Sequence, residues 1–202
     1  MPFIYFPARE IHCKIVYYGP GLGGKTANLQ WVYDHTGQNQ KGKMVSLATE
    51  TDRTLFFDFL PIEAMSIKGF KTKFQLYTVP GQVIYNTTRQ LVLRGVDGIV
   101  FVADSQYEKM AENVEAFANL EDNLKVLKLN LPDIPYVLQY NKRDLPNVAP
   151  VEYMEFLLNN RDLQVPSFTS TAHRCEGVFE TLNMITRMLL NKFISQGTPQ
   201  YA

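Results

Sequence analysis

The chain has 202 residues, of which 46% are hydrophobic, enough apolar material to fill the core of one domain. Lys plus Arg equals Asp plus Glu at 20 each, so no net field draws it to nucleic acid or to an anionic membrane. No apolar run approaches the ~20 residues of a membrane span, and the opening M-P-F-I-Y-F-P is too short and lacks the basic start of a signal peptide.

The first predicted strand is 11–18, preceded by a short N-terminal arm, and Cys13 within it is expected to be a buried free thiol. Cys175 lies far away in no metal-ligand spacing, and both cysteines are expected to be reduced. Further strands are predicted at 43–47, 55–59, 71–79, 98–103, 136–141 and 165–170. In 71–79 the polar Lys71, Lys73 and Gln75 alternate with Phe74 and Leu76, the pattern of a strand open on one face and placed near a sheet edge. A helix is predicted over 107–129, with Met110, Val114, Phe117, Leu120, Leu124 and Leu127 as its buried stripe. Val178, Leu182, Ile185 and Leu189 repeat that spacing in a C-terminal helix that frays from Ser195. Short apolar strands alternating with helical segments predict an α/β fold with a mostly parallel central sheet and helices on both faces. No boundary divides the chain, so 1–202 reads as one domain with its core at about 8–194.

Between the first strand and the helix after it stands G-P-G-L-G-G-K-T, which matches G-x-x-x-x-G-K-S/T in the strand-to-helix context that the P-loop requires. Gly21, Leu22, Gly23, Gly24 and the residues up to Ala27 would present main-chain N–H groups to phosphates at the positive end of a helix. Lys25 would reach the outer phosphates and the Thr26 hydroxyl would hold Mg²⁺. At the end of the strand 136–141, Asn141, Lys142 and Asp144 form N-K-x-D. A carboxylate there accepts from guanine N1 and its exocyclic amine, whereas adenine has neither donor. In S-T-A-H, Thr171 would brace the loop, the Ala172 N–H would meet the purine oxygen, and His173 would lie beside the base. The nucleotide is read as GTP or GDP.

These motifs, together with K-M-V-S-L-A-T-E-T-D-R-T-L-F-F-D-F-L-P, L-Y-T-V-P-G-Q-V, R-G-V-D-G-I-V-F-V-A-D-S and G-V-F-E-T-L, resemble small Ras-like GTPases, and more narrowly the bacterial MglA family of polarity and gliding-motility GTPases. The resemblance spans about residues 8 to 190. It implies the Ras-like fold, with Thr54 as the switch threonine on Mg²⁺, Gln82 positioning the attacking water, Gly81 bonding the terminal phosphate and Arg53 as an intrinsic arginine finger. It also implies slow GTP hydrolysis, a roadblock-type MglB homodimer as activator and downstream polarity or motility effectors. A cytoplasmic protein, monomeric when alone and recruited to a cell pole through partners, is expected. Thr78 stands where ordinary GTPases carry a Mg²⁺-supporting aspartate, as is usual in this family. Asp58 either supplies the missing carboxylate or, the favoured expectation, caps a turn with Pro61. The alternative function is an adaptor that binds GTP or GDP and hardly hydrolyses it.

Overall fold

The computed structural model describes residues 2–46, 58–67, 69–81, 85–160 and 164–195. Among these, eight strands form a single sheet: β1 (Phe3–Tyr5), β2 (Glu10–Tyr18), β3 (Val45–Ser46), β4 (Asp58–Ile67), β5 (Phe70–Thr78), β6 (Gly98–Asp104), β7 (Tyr136–Asn141) and β8 (Ser167–Thr169). Their order is β3-β4-β5-β2-β6-β7-β8, with β1 antiparallel to the start of β2. The pairs from β5 through β2, β6 and β7 to β8 are all parallel, while β3, β4 and β5 pair antiparallel.

The parallel centre follows from composition. G-I-V-F-V-A-D in β6 and Y-V-L-Q-Y-N in β7 are buried at every position, as strands covered on both faces must be. Successive side chains face opposite layers. On one side Val16, Tyr18, Ile99 and Phe101 meet α2 (Asn86–Leu93), α3 (Met110–Val126) and α4 (Val151–Leu158). On the other, Ile15, Tyr17, Val100 and Val102 meet α1 (Lys25–His35) and α5 (Val178–Ser195). Within α5 the expected stripe of Val178, Leu182, Ile185 and Leu189 is buried.

Three expectations change. Strand β5 is open on one face, with Phe74 and Leu76 buried and Lys73 and Gln75 half-buried, but it is no edge: β4 pairs with it from Phe59↔Tyr77 to Ile67↔Phe70. The strand placed at 55–59 begins at Asp58 and continues to Ile67, residues 55–57 lying outside those described. Pro61 argues against a strand on sequence alone; here its carbonyl accepts from Gly42 N–H at 2.9 Å. In α3, Val114 is exposed, and Asn113 takes the buried place beside it, exchanging hydrogen bonds of 2.8 and 2.9 Å with the main chain of Asp104.

Among the described residues no helix is long and apolar enough to cross a membrane. Both cysteines are free, Cys13 buried and Cys175 exposed. Burial pushes the Cys13 thiol up to about 12, so almost none of it is thiolate near neutrality. Iodoacetamide at mildly alkaline pH is therefore expected to add once to the folded chain, at Cys175, and twice after denaturation. Two adducts by intact mass without denaturant would show that Cys13 is reachable.

Candidate nucleotide site

Because β5, β2, β6, β7 and β8 run parallel, their carboxyl ends share one edge of the sheet, and the loops that follow them converge there. The loop after β2 turns into α1 at Gly24, which has φ of +99° and provides no side-chain cap. The first-turn amides of an eleven-residue helix are thus left to an anion. A Cβ at Gly24 would lie 2.1 Å from Asn141 Nδ2, so only glycine allows this close approach to the N-K-x-D loop. Leu22, at φ +58°, points its side chain to solvent.

Lys25 is buried beneath the loop, its Nζ donating to the carbonyls of Gly19 at 3.1 Å and Pro20 at 2.6 Å. Burial, then the nearby Arg89 guanidinium, pushes its pKa down to about 7, with Asp58 acting against them. Phosphate oxygens beside Nζ would favour the charged form. The first turn of α1 also carries Thr26, whose hydroxyl donates to Asp58 Oδ2 at 2.6 Å.

Asp58 does not cap a turn. It opens β4 with its side chain inward and fully buried, and it also accepts from the Thr78 hydroxyl at 2.9 Å, while its own N–H donates to Thr78 Oγ1 at 2.9 Å. A carboxylate from the neighbouring strand thus lies against the Thr78 hydroxyl. Among the described residues no group of three His, Cys, Asp or Glu side chains could by itself hold a metal. One hydroxyl and one carboxylate beside a phosphate loop do suit Mg²⁺, which takes one or two carboxylates and completes its shell with phosphate oxygens and water.

Around the N-K-x-D loop, Asn141 ties three loops together. Its Nδ2 donates to Gly23 O at 2.9 Å, and its Oδ1 accepts from Ser170 Oγ and from Ala172 N, both at 3.0 Å. The Ala172 N–H expected to meet the purine oxygen is here engaged by Asn141. Thr171, buried, makes main-chain bonds with Glu176 and Arg174. Lys142, at φ +65°, pairs with Asp104 at 2.6 Å. Asp144 has an 8% exposed side chain; its Oδ2 lies 3.4 Å from His173 Nε2, and its Oδ1 is buried with no hydrogen-bond partner among the described residues. Such an atom forfeits ~1–3 kcal/mol or more until a donor arrives.

A cavity of about 390 Å³ joins the two halves. The loop from Gly21 to Ala27 forms one wall, Gly81 and Tyr85 another, and Asn141, Lys142, Ala172 and His173 the far end. Asp144 and Thr171 are not part of its lining. Thr54, Arg53 and Gln82 lie outside the described residues. The sequence reading missed Asp104, Tyr85 and Arg89; only Asp104, closing the apolar run of β6 at a carboxyl strand end, carried a signal.

The sequence pattern of the Ras family matches residues 14–191. Over 197 residues, 98% of this chain and the whole of the relative, the chain is 55% identical to the mutual gliding-motility protein MglA of Myxococcus xanthus (strain DK1622). It is also 26% identical to the Ras-related protein Rab-13 of Canis lupus familiaris over 140 residues, 69% of this chain and 66% of the relative.

Proposed function

The chain belongs to the Ras family and, within it, to the MglA-like small GTPases; on that footing we propose that it is a guanine-nucleotide switch whose GTP hydrolysis is slow until a partner stimulates it. The observation that carries the reading is one cavity joining an uncapped helix N-terminus to the loops around Asp144, whose buried Oδ1 has no donor among the described residues. The α and β phosphates lie on the amides of residues 21–27, with Lys25 turning from the loop carbonyls to the outer phosphates. Guanine presents N1–H and its exocyclic amine to Asp144, displacing His173 from beside it.

Thr26 and Asp58 would hold Mg²⁺, with Thr54 from the switch loop in the GTP state; the ion, when bound, draws charge from the β and γ oxygens. Gln82 orients water for attack on the γ-phosphorus, and Arg53 with Lys25 neutralises charge on the transferring group. Loss of the third phosphate frees the loops bearing Thr54 and Gln82, and a partner reads the difference. A roadblock-type MglB homodimer as activator, effectors of polarity or motility, and a cytoplasmic monomer recruited to a pole complete the proposal, in keeping with the gliding-motility name of the 55% identical relative. The adaptor alternative rested on the uncharged Thr78; with the Asp58 carboxylate bonded to that hydroxyl, hydrolysis is the better supported of the two.

Chromatography of the extract from gently purified, then denatured, protein is expected to release GDP or GTP. Single-turnover hydrolysis should accelerate with the roadblock dimer in the parent chain and not in Gln82→Ala. Adenine nucleotide in the extract would overturn the base assignment, and equal inertness of both proteins with the dimer present would leave the adaptor.

A further inference from the structure

Arg89, in α2, is a fully buried cation that no carboxylate touches among the described residues. A buried charge is costly unless hydrogen bonds replace its water, and an apolar side chain would pack between α2 and α3 without that cost. Here the replacement is complete along one edge. Nε donates to Pro80 O at 3.0 Å, Nη2 to Gly81 O, and Nη1 to Asn119 Oδ1 and, at 3.4 Å, to Tyr18 OH.

The far end of this fork is itself braced. Asn119 Oδ1 also accepts from Tyr18 OH at 2.7 Å and from Asn123 Nδ2 at 3.0 Å, and Asn119 Nδ2 donates to Asn86 Oδ1 at 3.0 Å. The guanidinium is therefore fixed to β2 and α3, and it in turn fixes two consecutive carbonyls of the loop leaving β5. In a trans peptide the C=O and the following N–H point opposite ways. Drawing Pro80 C=O towards Arg89 turns Gly81 N–H away from the guanidinium, and Gly81 itself packs against the phosphate loop. The approach there is close: a Cβ on Gly81 would lie 2.3 Å from Gly21 Cα.

We propose that Arg89 is a positioning residue that aims the Gly81 N–H at the third phosphate, so that the α2–α3 layer sets how strongly GTP is preferred to GDP. The inference rests on the guanine-nucleotide reading above. GDP has no third phosphate for this amide to meet, so aiming the amide adds nothing to its affinity, and Arg89→Lys keeps the positive charge near Lys25.

The test is titration of the full chain with fluorescent GDP and with a fluorescent non-hydrolysable GTP analogue in magnesium buffer, beside thermal melts. Arg89→Lys keeps a cation but loses the planar fork that holds both carbonyls. It is expected to weaken the GTP analogue by about 10-fold, the loss of one charge-assisted hydrogen bond, with GDP affinity unchanged. Asn119→Ala, at a half-buried site outside the lining of the cavity, removes only the brace and should shift the same ratio less; it decides the matter if Arg89→Lys does not fold. Parallel weakening of both nucleotides with a lowered melting temperature would make Arg89 merely structural and overturn the proposal, as would an unchanged ratio in both variants. A parent chain that binds neither nucleotide would instead bring down the guanine reading itself, and this inference with it.

Discussion

Asp144→Asn is expected to abolish guanine recognition while leaving the fold intact, with GTP and GDP weakened on the order of 10⁴-fold. Guanine offers two adjacent donors, N1–H and the exocyclic amine. A carboxylate accepts both, but an amide presents one oxygen and one NH₂, so one of its groups must face donor against donor. Xanthine has an oxygen in place of that amine, and asparagine then pairs correctly at both positions; xanthosine triphosphate should gain affinity as GTP loses it. The exchange separates recognition from folding, because without ligand one buried Asp144 oxygen has no partner among the described residues. Converting the charge to an amide there should not lower the melting temperature. Competition of GTP, XTP and ATP against a labelled nucleotide checks the outcome, and a variant that still prefers guanine would remove Asp144 from the base site.

The readable parts of this protein are those in which a pattern and its structural cause lie close together in the chain. Strand β7 is found at its predicted limits because Y-V-L-Q-Y-N is buried on both faces, and N-K-R-D follows it directly. The phosphate loop is read for the same reason, as its glycines, lysine and helix start are contiguous. Periodicity told which face of β5 is open but not what stands beside it, since neighbours are set by pairing over a distance; β4, interrupted by Pro61 and Glu63, gave no regular signal. The role of Asp58 is hidden from the sequence for a related reason. Its contact with Thr78 depends on the Phe59↔Tyr77 register, which no local spacing encodes. Arg89 carries no local signal, and it is buried where α2 packs on α3.

The Asp58 carboxylate is where that register has a chemical consequence. Asp58→Asn is nearly isosteric, and its amide oxygen can still accept from the Thr26 and Thr78 hydroxyls, so β4 should keep its pairing and the chain its fold. What it loses is the negative charge beside Thr26, and with it part of the site's hold on a hard divalent cation. The magnesium concentration that half-maximally slows release of fluorescent GDP is expected to rise ~10–100-fold, the range in which loss of an oriented metal-supporting group falls. Thr78→Asp alone would place a second carboxylate against Asp58 and set two buried like charges in contact, which disfavours the ionised pair. Combined with Asp58→Asn it exchanges the two groups across the β4–β5 pair, and part of the magnesium response should return. An unchanged midpoint in Asp58→Asn would mean that this carboxylate only ties two strands together and that the cation is held elsewhere.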